Sequence, residues 1–275
     1  MTDRYAVFGN PISHSKSPRI HTLFARQTGE DLSYEALLAP LDGFAAAVRA
    51  FAAAGGRGAN VTVPFKEEAW RLSDRRSAQA EAAGAVNTLA FSQDGVFGDN
   101  TDGTGLVRDL KSNLGCDIAG RRVLLLGAGG AARGAVLPLL LEGPAELFIA
   151  NRSAERAARL AIEFARLPGC ALPVKPQGGG FAELAGQSYD LIINATSAGL
   201  QDARLPLPLG IFAAGSLAYE MLYGRETPFM GQARIVGARV ADGLGMLVEQ
   251  AAEAFHIWRG KRPATGPVIA ALRRN

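Results

Sequence analysis

One stretch decides the fold around the middle of this 275-residue chain: Val123-Leu124-Leu125-Leu126-Gly127-Ala128-Gly129-Gly130-Ala131-Ala132. Its apolar run predicts a buried strand, and the alanine-rich residues after the glycines predict a helix. In such a strand–turn–helix unit, Gly127 allows a tight turn, Gly129 lets the main chain approach a pyrophosphate, and Ala132 allows close helix packing. The free N–H groups at the start of the helix attract phosphate charge. The stretch therefore predicts a dinucleotide site that includes residues 127–131.

The rest of the chain predicts an α/β architecture in two domains. A length of 275 residues suits about two domains, and strand-like apolar runs alternate with amphipathic helical stretches throughout. We expect a Rossmann-type domain and a first domain with a mainly parallel mixed sheet. Predicted strands are residues 4–8, 34–38, 58–63, 85–92, 96–99, 146–150, 189–194 and 216–220, and predicted helices are 17–27, 43–54, 66–72 and 244–259. Residues 177–180 predict a loop, and periodicity leaves open which domain the last helix joins.

Composition and charge argue against several classes of function. The formal net charge is only +3 and no run of five or six basic residues occurs, so we expect no nucleic-acid partner. Cys116 and Cys170 offer neither a disulfide framework nor a metal-binding pair, and the histidines are dispersed, so we expect no metal. The sequence shows no signal peptide and no apolar segment of membrane-spanning length. We therefore expect a cytoplasmic protein without a membrane partner.

The residues after the second predicted strand of the dinucleotide unit indicate which cofactor binds. Enzymes that use NAD usually carry Asp or Glu there, to hold the ribose 2′-hydroxyl. This chain has Asn151, Arg152 and Ser153 instead, with Arg156 one helical turn beyond Arg152. Guanidinium groups form charge-assisted hydrogen bonds with a 2′-phosphate, which a carboxylate would repel. We therefore expect NADP(H), although solvated arginines that open a surface helix would give the same pattern.

Three polar residues of the first half are candidates for chemistry. Hydride transfer to a carbonyl needs a proton donor at the developing alkoxide, and no tyrosine here has a lysine four residues on. Lys66 stands out because it follows a predicted strand and opens a helix, where the positive end of the helix dipole normally disfavours lysine. Asp102 and Asn87 are the other two candidates. Taken alone, the three residues also fit a solvated lysine, a helix N-cap and a polar strand residue.

Several ordered motifs resemble the shikimate dehydrogenase family along nearly the whole chain. The motifs are residues 9–18, 60–68, 84–88, 98–103, 194–199 and 242–250, the first of them Gly9-Asn10-Pro11-Ile12-Ser13-His14-Ser15-Lys16-Ser17-Pro18. The resemblance implies reversible reduction of 3-dehydroshikimate to shikimate with NADPH, on the route to chorismate and the aromatic amino acids. It also implies a discontinuous substrate domain (1–101 with 237–275), a Rossmann domain (102–236) and a closable cleft. We expect a monomer or homodimer.

The resemblance also implies a role for each matching residue. Lys66 and Asp102 would form the catalytic pair, in which Lys66 transfers the proton at the C3 oxygen. The substrate carboxylate would contact Ser15 and Ser17, with Tyr223 nearby. Other residues would hold ring hydroxyls (Thr62, Lys66, Asn87, Asp102 and Gln250) or lie against the nicotinamide (Met221 and Gly243).

Three places depart from the family pattern. Glu220 stands where Asp is frequent, and Gly224-Arg225-Glu226 varies a loop near Tyr223. Ala78 stands where a polar residue can neighbour the cofactor. They bear on cofactor contacts more than on the reaction. The alternatives are a quinate/shikimate dehydrogenase of wider substrate or cofactor range and a non-catalytic NADPH-binding sensor. The retained Lys66, Asp102 and Asn87 argue against a sensor, which has no need of a proton relay.

Overall fold

The computed structural model describes residues 2–167 and 172–274, and the chain divides into two compact units. The first unit is Met1–Gly105 with Leu247–Asn275, and the second is Leu106–Met246. Two helices contain the junctions: α5 (Asp102–Arg108) and α9 (Leu244–Arg259) each begin in one unit and end in the other. The second unit is therefore a continuous insertion into a discontinuous first unit.

The first unit contains a mixed sheet with helices between its strands. In chain order its elements are β1 (Asp3–Gly9), α1 (Ser17–Thr28), β2 (Leu32–Leu38), α2 (Phe44–Ala53), β3 (Gly56–Val61), α3 (Lys66–Leu72), β4 (Arg75–Arg76), α4 (Ala78–Ala83), β5 (Thr88–Ser92) and β6 (Gly95–Asp99), and after the insertion the rest of α9 and α10 (Gly266–Arg273). The strand order is β2-β1-β3-β5-β6-β4. Strand β1 is parallel to β2 and β3, whereas β5 is antiparallel to β3 and β6.

The core of the first unit is aromatic and lies between the sheet and its helices. Phe8 packs edge-on against Phe44 and Phe51, and Phe44 stacks on Phe65 with ring centroids 4.7 Å apart. These rings are buried with Val61, which lies on β3. The packing fixes the ends of β1 and β3, from which the candidate site residues project.

The second unit is a doubly wound parallel sheet. Its elements are α5, a π-helical turn (Asp109–Asn113), β7 (Arg122–Leu126), α6 (Gly130–Leu141), β8 (Glu146–Ala150), α7 (Ala154–Ala165), β9 (Gln177–Gly179), β10 (Tyr189–Asn194), β11 (Phe212–Glu220), α8 (Pro228–Ile235) and β12 (Arg239–Asp242), with short 3-10 turns between β9 and β11. The strand order β12-β11-β10-β7-β8-β9 reverses direction between β7 and β10. Ligands of such sheets bind at the carboxyl ends of the strands near this reversal. The predicted α/β class and Rossmann-type domain are confirmed.

The predicted loop at residues 177–180 is wrong, because Gln177–Gly179 forms the edge strand β9 parallel to β8. A Cβ at Gly178 would lie 2.3 Å from the Ala157 carbonyl oxygen of α7, so the close approach of this helix requires glycine in the strand. Glycine in a strand often marks such an approach. The glycine-rich composition of this segment therefore predicts a loop although the segment forms a strand.

The unit limits also differ from the predicted domain limits. Strand β12 pairs with β11, so residues 237–246 belong to the second unit. Asp102 is the first residue of α5 and not its N-cap. Which unit binds substrate and which binds cofactor stays a prediction at this point.

The structure also bears on the cysteines and on membrane-spanning helices. Cys116 is a buried free thiol, and Cys170 lies outside the described residues. None of the described helices is both long and apolar enough to cross a membrane.

Candidate active site and cofactor site

Lys66 and Asp102 form an ion pair in the first unit. Lys66 opens α3 shortly after the end of β3, and its carbonyl accepts a hydrogen bond from Val86 N at 2.9 Å. Its Nζ lies 2.5 Å from Oδ2 of Asp102, and the two side chains are 30% and 18% exposed. An ammonium group held against a carboxylate, and still reachable from solvent, is suited to proton transfer.

The Asn87 side chain orients Asp102 from the other side. Its Nδ2 donates to Asp102 Oδ1 at 2.8 Å and to Gln250 Oε1 at 3.4 Å. Its Oδ1 accepts from Thr101 N at 2.9 Å, and a backbone N–H can only donate, so the orientation of the amide is determined. Asp102 therefore has one oxygen on Lys66 and the other on Asn87. The predicted Lys66, Asp102, Asn87 and Gln250 come together in one cluster.

The predicted substrate serines lie after the carboxyl end of β1. Ser17 is the buried first residue of α1, and its backbone N–H donates to Ser15 Oγ at 3.3 Å. Thr62 follows β3, and its N–H donates to Phe8 O of β1 at 2.9 Å. Because β1 and β3 are parallel, these residues follow the same edge of the sheet.

A polar chain that the sequence reasoning did not assign links these residues. The Tyr34 hydroxyl lies beside Ser17 and donates to Asn60 Oδ1 at 2.7 Å. Asn60 Nδ2 donates to Thr88 Oγ1 at 3.0 Å, and that hydroxyl donates to Asn87 Oδ1 at 2.9 Å. The antiparallel register of β3 and β5, which pairs Asn60 with Thr88, brings these groups together. Sequence motifs contained Asn60 and Thr88, but spacing gave no signal for their pairing.

A buried histidine lies behind this chain. The His21 ring stacks on Tyr34 with centroids 4.1 Å apart and an interplanar angle of 6°. It is fully buried, and neither ring nitrogen makes a hydrogen bond of ordinary geometry. Burial lowers the pKa of His21 to about 3, against a smaller opposing influence of Asn60. His21 is therefore a neutral part of the wall of the site.

The glycine turn of the second unit forms an open cradle at the start of α6. Gly127 has φ +112, and its N–H donates to Ala150 O at 2.8 Å. A Cβ at Gly129 or Gly130 would meet nothing within 4 Å, so there is free space at the first residues of α6. Ala128 and Ala131 complete the turn. Together with the helix N-terminus, this space fits a pyrophosphate.

The residues predicted to select the cofactor lie at the end of β8. Asn151 N donates to Gly179 O at 3.1 Å, and Asn151 Nδ2 donates to Ser153 O at 3.2 Å, which shapes the turn into α7. Arg152 and Arg156 are exposed, and neither is paired with a carboxylate in the described part of the chain. Two unpaired guanidinium groups beside the cradle fit a 2′-phosphate.

The last predicted site residues lie at the ends of β11 and β12. Met221 N donates to Asn194 O at 3.0 Å, and Gly243 N donates to Leu222 O at 3.0 Å. A Cβ at Gly243 would lie 2.1 Å from Met221 O, so only glycine fits there. Burial raises the pKa of the Tyr223 hydroxyl. The structure thus places Met221, Tyr223 and Gly243 in the second unit, and Ser15, Ser17, Thr62 and Gln250 in the first.

Comparison with known proteins decides the family. The model described as "Shikimate dehydrogenase substrate binding domain" matches residues 7–89. "Shikimate / quinate 5-dehydrogenase" matches residues 109–200, and "Shikimate 5'-dehydrogenase C-terminal domain" matches residues 243–273. A curated "Shikimate dehydrogenase (NADP(+))" of Dechloromonas aromatica is 64% identical over 99% of this chain and 98% of its own length. The chain belongs to the shikimate dehydrogenase family.

Solved structures agree with this family assignment. An "Ael1 enzyme" from Pseudomonas putida has a TM-score of 0.92 at 50% identity and covers 98% of both chains. The shikimate 5-dehydrogenase of Thermus thermophilus, solved with NADP(H) and shikimate, has a TM-score of 0.86 at 34% identity and covers 99% of both chains. Both likenesses cover nearly all of this chain and therefore extend over both units.

Proposed function

We propose that the chain catalyses the reversible NADPH-dependent reduction of 3-dehydroshikimate to shikimate, in the pathway to chorismate and the aromatic amino acids. The observation that carries the proposal is the Lys66–Asp102 ion pair, oriented by Asn87, in a chain 64% identical to an NADP-dependent shikimate dehydrogenase. We assign the protein to the cytoplasm. We propose that it acts there as a monomer or homodimer, without a nucleic-acid or membrane partner.

Lys66 is the proton donor in the proposed mechanism. When bound, NADPH supplies the hydride that reaches the C3 carbonyl carbon. The Lys66 ammonium donates a proton to the C3 oxygen, so that the ketone becomes an alcohol, and the neutral amine takes the proton back in the reverse direction. Asp102 holds the Lys66 ammonium at 2.5 Å and balances its charge. Asn87 keeps the Asp102 carboxylate in that orientation.

Short polar side chains account for substrate selection in the proposal. Ser15 and Ser17 bind the carboxylate, with Tyr223 nearby. The ring hydroxyls bind to Thr62, Lys66, Asn87, Asp102 and Gln250. A site that hydrogen-bonds each hydroxyl rejects an analogue lacking one, because a polar group of the site then stays unpaired.

The second unit binds the cofactor in the proposal. The turn at residues 127–131 holds the pyrophosphate, and Met221 and Gly243 lie against the nicotinamide. Arg152 and Arg156, with Asn151 and Ser153, bind the 2′-phosphate and favour NADP over NAD.

Steady-state rates with shikimate and with quinate, each against NADP and NAD, test the proposal. We expect the highest kcat/KM for shikimate with NADP. Comparable turnover of quinate would favour the quinate/shikimate alternative. Binding of NADPH without oxidation of either acid would favour a sensor and overturn the proposed activity.

A further inference from the structure

Glu220 is a fully buried carboxylate at the carboxyl end of β11 that the proposed mechanism does not use. Its Oε2 accepts hydrogen bonds from Asn194 Nδ2 at 2.7 Å and from Thr227 Oγ1 at 2.9 Å. Its Oε1 accepts from Leu222 N at 3.2 Å. Thr227 also caps α8, since its side chain accepts from Met230 N. One carboxylate therefore joins β10, β11 and the start of α8.

The polarity of this cluster requires an acceptor at Glu220. Asn194 Oδ1 accepts from Thr196 N at 3.1 Å and from Thr196 Oγ1 at 2.7 Å. Because the backbone N–H of Thr196 can only donate, Asn194 must point its NH₂ group at Glu220. Burial raises the pKa of Glu220, and the surrounding donors oppose that effect. A donor at this position would face the Asn194 NH₂ group and leave it unpaired.

The cluster fixes the main chain of Met221 and Leu222. Met221 N donates to Asn194 O, Leu222 N donates to Glu220, and Leu222 O accepts from Gly243 N. Met221 O contacts the backbone of Gly243 so closely that a Cβ there would clash. The ends of β10, β11 and β12 are thus joined through this segment, at the sheet edge where dinucleotides bind.

We propose that Glu220 is a positioning residue, which fixes the Met221–Leu222 main chain and thereby the seat of the nicotinamide ring. The inference rests on the proposed function, which assigns Met221 to the nicotinamide end. Glu220 is fully buried, so the proposal assigns it no contact with the cofactor. Its action is local, so it affects the nicotinamide half of the ligand and not the adenine half near Arg152 and Arg156.

The Glu220→Gln variant tests this by comparing two ligands. NADPH contains both halves, whereas 2′,5′-ADP contains only the half expected at Arg152 and Arg156. We expect the Kd for NADPH to rise about ten-fold, as for one unpaired buried hydrogen-bonding group, while the Kd for 2′,5′-ADP stays within about two-fold. The kcat for shikimate oxidation should fall with little change in the KM for shikimate.

Two further variants separate positioning from folding. The double variant Asn194→Asp/Glu220→Gln exchanges donor and acceptor, so the introduced carboxylate accepts from Thr196 and from the introduced amide. We expect it to restore part of the affinity for NADPH, because the Thr227 hydroxyl, which donates to the same Glu220 oxygen as Asn194, loses its acceptor. The control is Glu146→Gln, in a side chain that accepts from Arg122 at 2.7 Å at the opposite, amino end of the strands. It should leave both Kd values unchanged.

Each outcome decides the proposal. An equal loss of affinity for both ligands would show a purely structural role of Glu220 and overturn the proposal. Loss of thermal stability with both Kd values unchanged would do the same. If Glu220→Gln does not fold, the double variant decides: recovery of the fold together with the affinity for NADPH supports positioning, and recovery of the fold alone contradicts it. Wild-type protein that binds neither ligand would contradict the proposed function, independently of Glu220.

Discussion

At the scale of single residues, we expect the Lys66–Asp102 pair to contribute more to chemistry than to stability. Both side chains are partly exposed, and ion pairs in such positions contribute only about 0–1 kcal/mol. Lys66→Ala should therefore leave the free energy of unfolding almost unchanged. Because the variant lacks the proposed proton donor, we expect kcat for shikimate oxidation to fall about 10²–10⁴-fold while KM for shikimate changes little. Steady-state kinetics and a urea titration measure both quantities.

Lys111→Ala is the matched control for this prediction. Lys111 also pairs with a carboxylate at 2.5 Å, that of Glu142, at a site without an assigned role. The control should retain wild-type kcat. An unchanged kcat in Lys66→Ala would show that the ion pair is only a surface feature.

His21 gives the protein a specific sensitivity to acid. Its pKa is about 3 in the folded protein and about 6.5 when unfolded, so between these values the unfolded chain binds more protons. The free energy of unfolding therefore falls as pH falls through this range, by about 1.4 kcal/mol per pH unit from this group. The variant His21→Phe keeps an aromatic ring beside Tyr34. Its free energy of unfolding should fall between pH 7 and pH 4.5 by about 2–3 kcal/mol less than that of the wild type.

Urea titrations at the two pH values measure this difference. The control variant is His256→Gln, which removes an exposed histidine. The same pH dependence in His21→Phe and wild type would contradict the assignment of a neutral, buried His21.

The candidate residues that could be predicted are those whose chemistry is visible in the sequence. Lys66, Asp102 and Asn87 were singled out by residue type and motif, and the structure brings them together. Tyr34 and Thr88 could not be assigned to the site. Thr88 meets Asn60 through the register of β3 and β5, and Tyr34 stacks on the His21 ring of α1. Local spacing contains no information on either.

At the scale of elements, the turn from β8 into α7 makes the sharpest prediction. Arg152 and Arg156 are exposed at the start of α7, where the helix dipole does not favour cations. A bound 2′-phosphate would stabilise both. Removing charge-assisted hydrogen bonds costs about 1.5–3 kcal/mol each, so the double variant Arg152→Ala/Arg156→Ala should raise the KM for NADP by about 100-fold or more.

The KM for NAD, measured with the same variant, distinguishes this role from a general defect. It should stay near the wild-type value, because NAD has no 2′-phosphate. Arg159→Ala, one turn further along α7, is the control and should change neither constant. An equal rise in both KM values would contradict the assignment.

Some elements could be predicted from the sequence with their limits, and others could not be predicted at all. The helices α3 and α9 and the strands β8 and β10 have the predicted limits. Helix α4 has only six residues, too few for periodicity to be visible, although Ser77 caps it by accepting from Ala80 N at 3.0 Å. Strand β9 was hidden by the glycines that let α7 approach it. Short elements depend on their neighbours more than on their own sequence.

At the scale of the whole molecule, the two units were predicted but their limits were not. Both junctions lie inside helices, α5 and α9, and not in exposed irregular linkers, although glycines lie beside each of them. Domain limits are usually recognised by such linkers. The parallel sheet of the second unit could be predicted because a βαβ fingerprint is typical of a parallel, doubly wound arrangement.

Each unit has its own buried core, one around Phe8, Phe44 and Phe65 and the other around Leu124, Ile192 and Phe229. Both tryptophans of the chain, Trp70 and Trp258, lie in the first unit. Trp258 stacks on Tyr5 with ring centroids 4.7 Å apart. Tryptophan fluorescence therefore reports on the unfolding of the first unit alone.

Separate cores predict separate responses to ligands. A ligand at about 100 times its Kd stabilises the structure that binds it by about 2.7 kcal/mol. We expect 2′,5′-ADP to slow amide hydrogen exchange in β7 and α6 of the second unit, while the urea midpoint followed by tryptophan fluorescence stays unchanged. Shikimate should raise that fluorescence midpoint instead. If 2′,5′-ADP also raises the fluorescence midpoint, the two units unfold as one. Stabilisation of the second core would then be shared by the first.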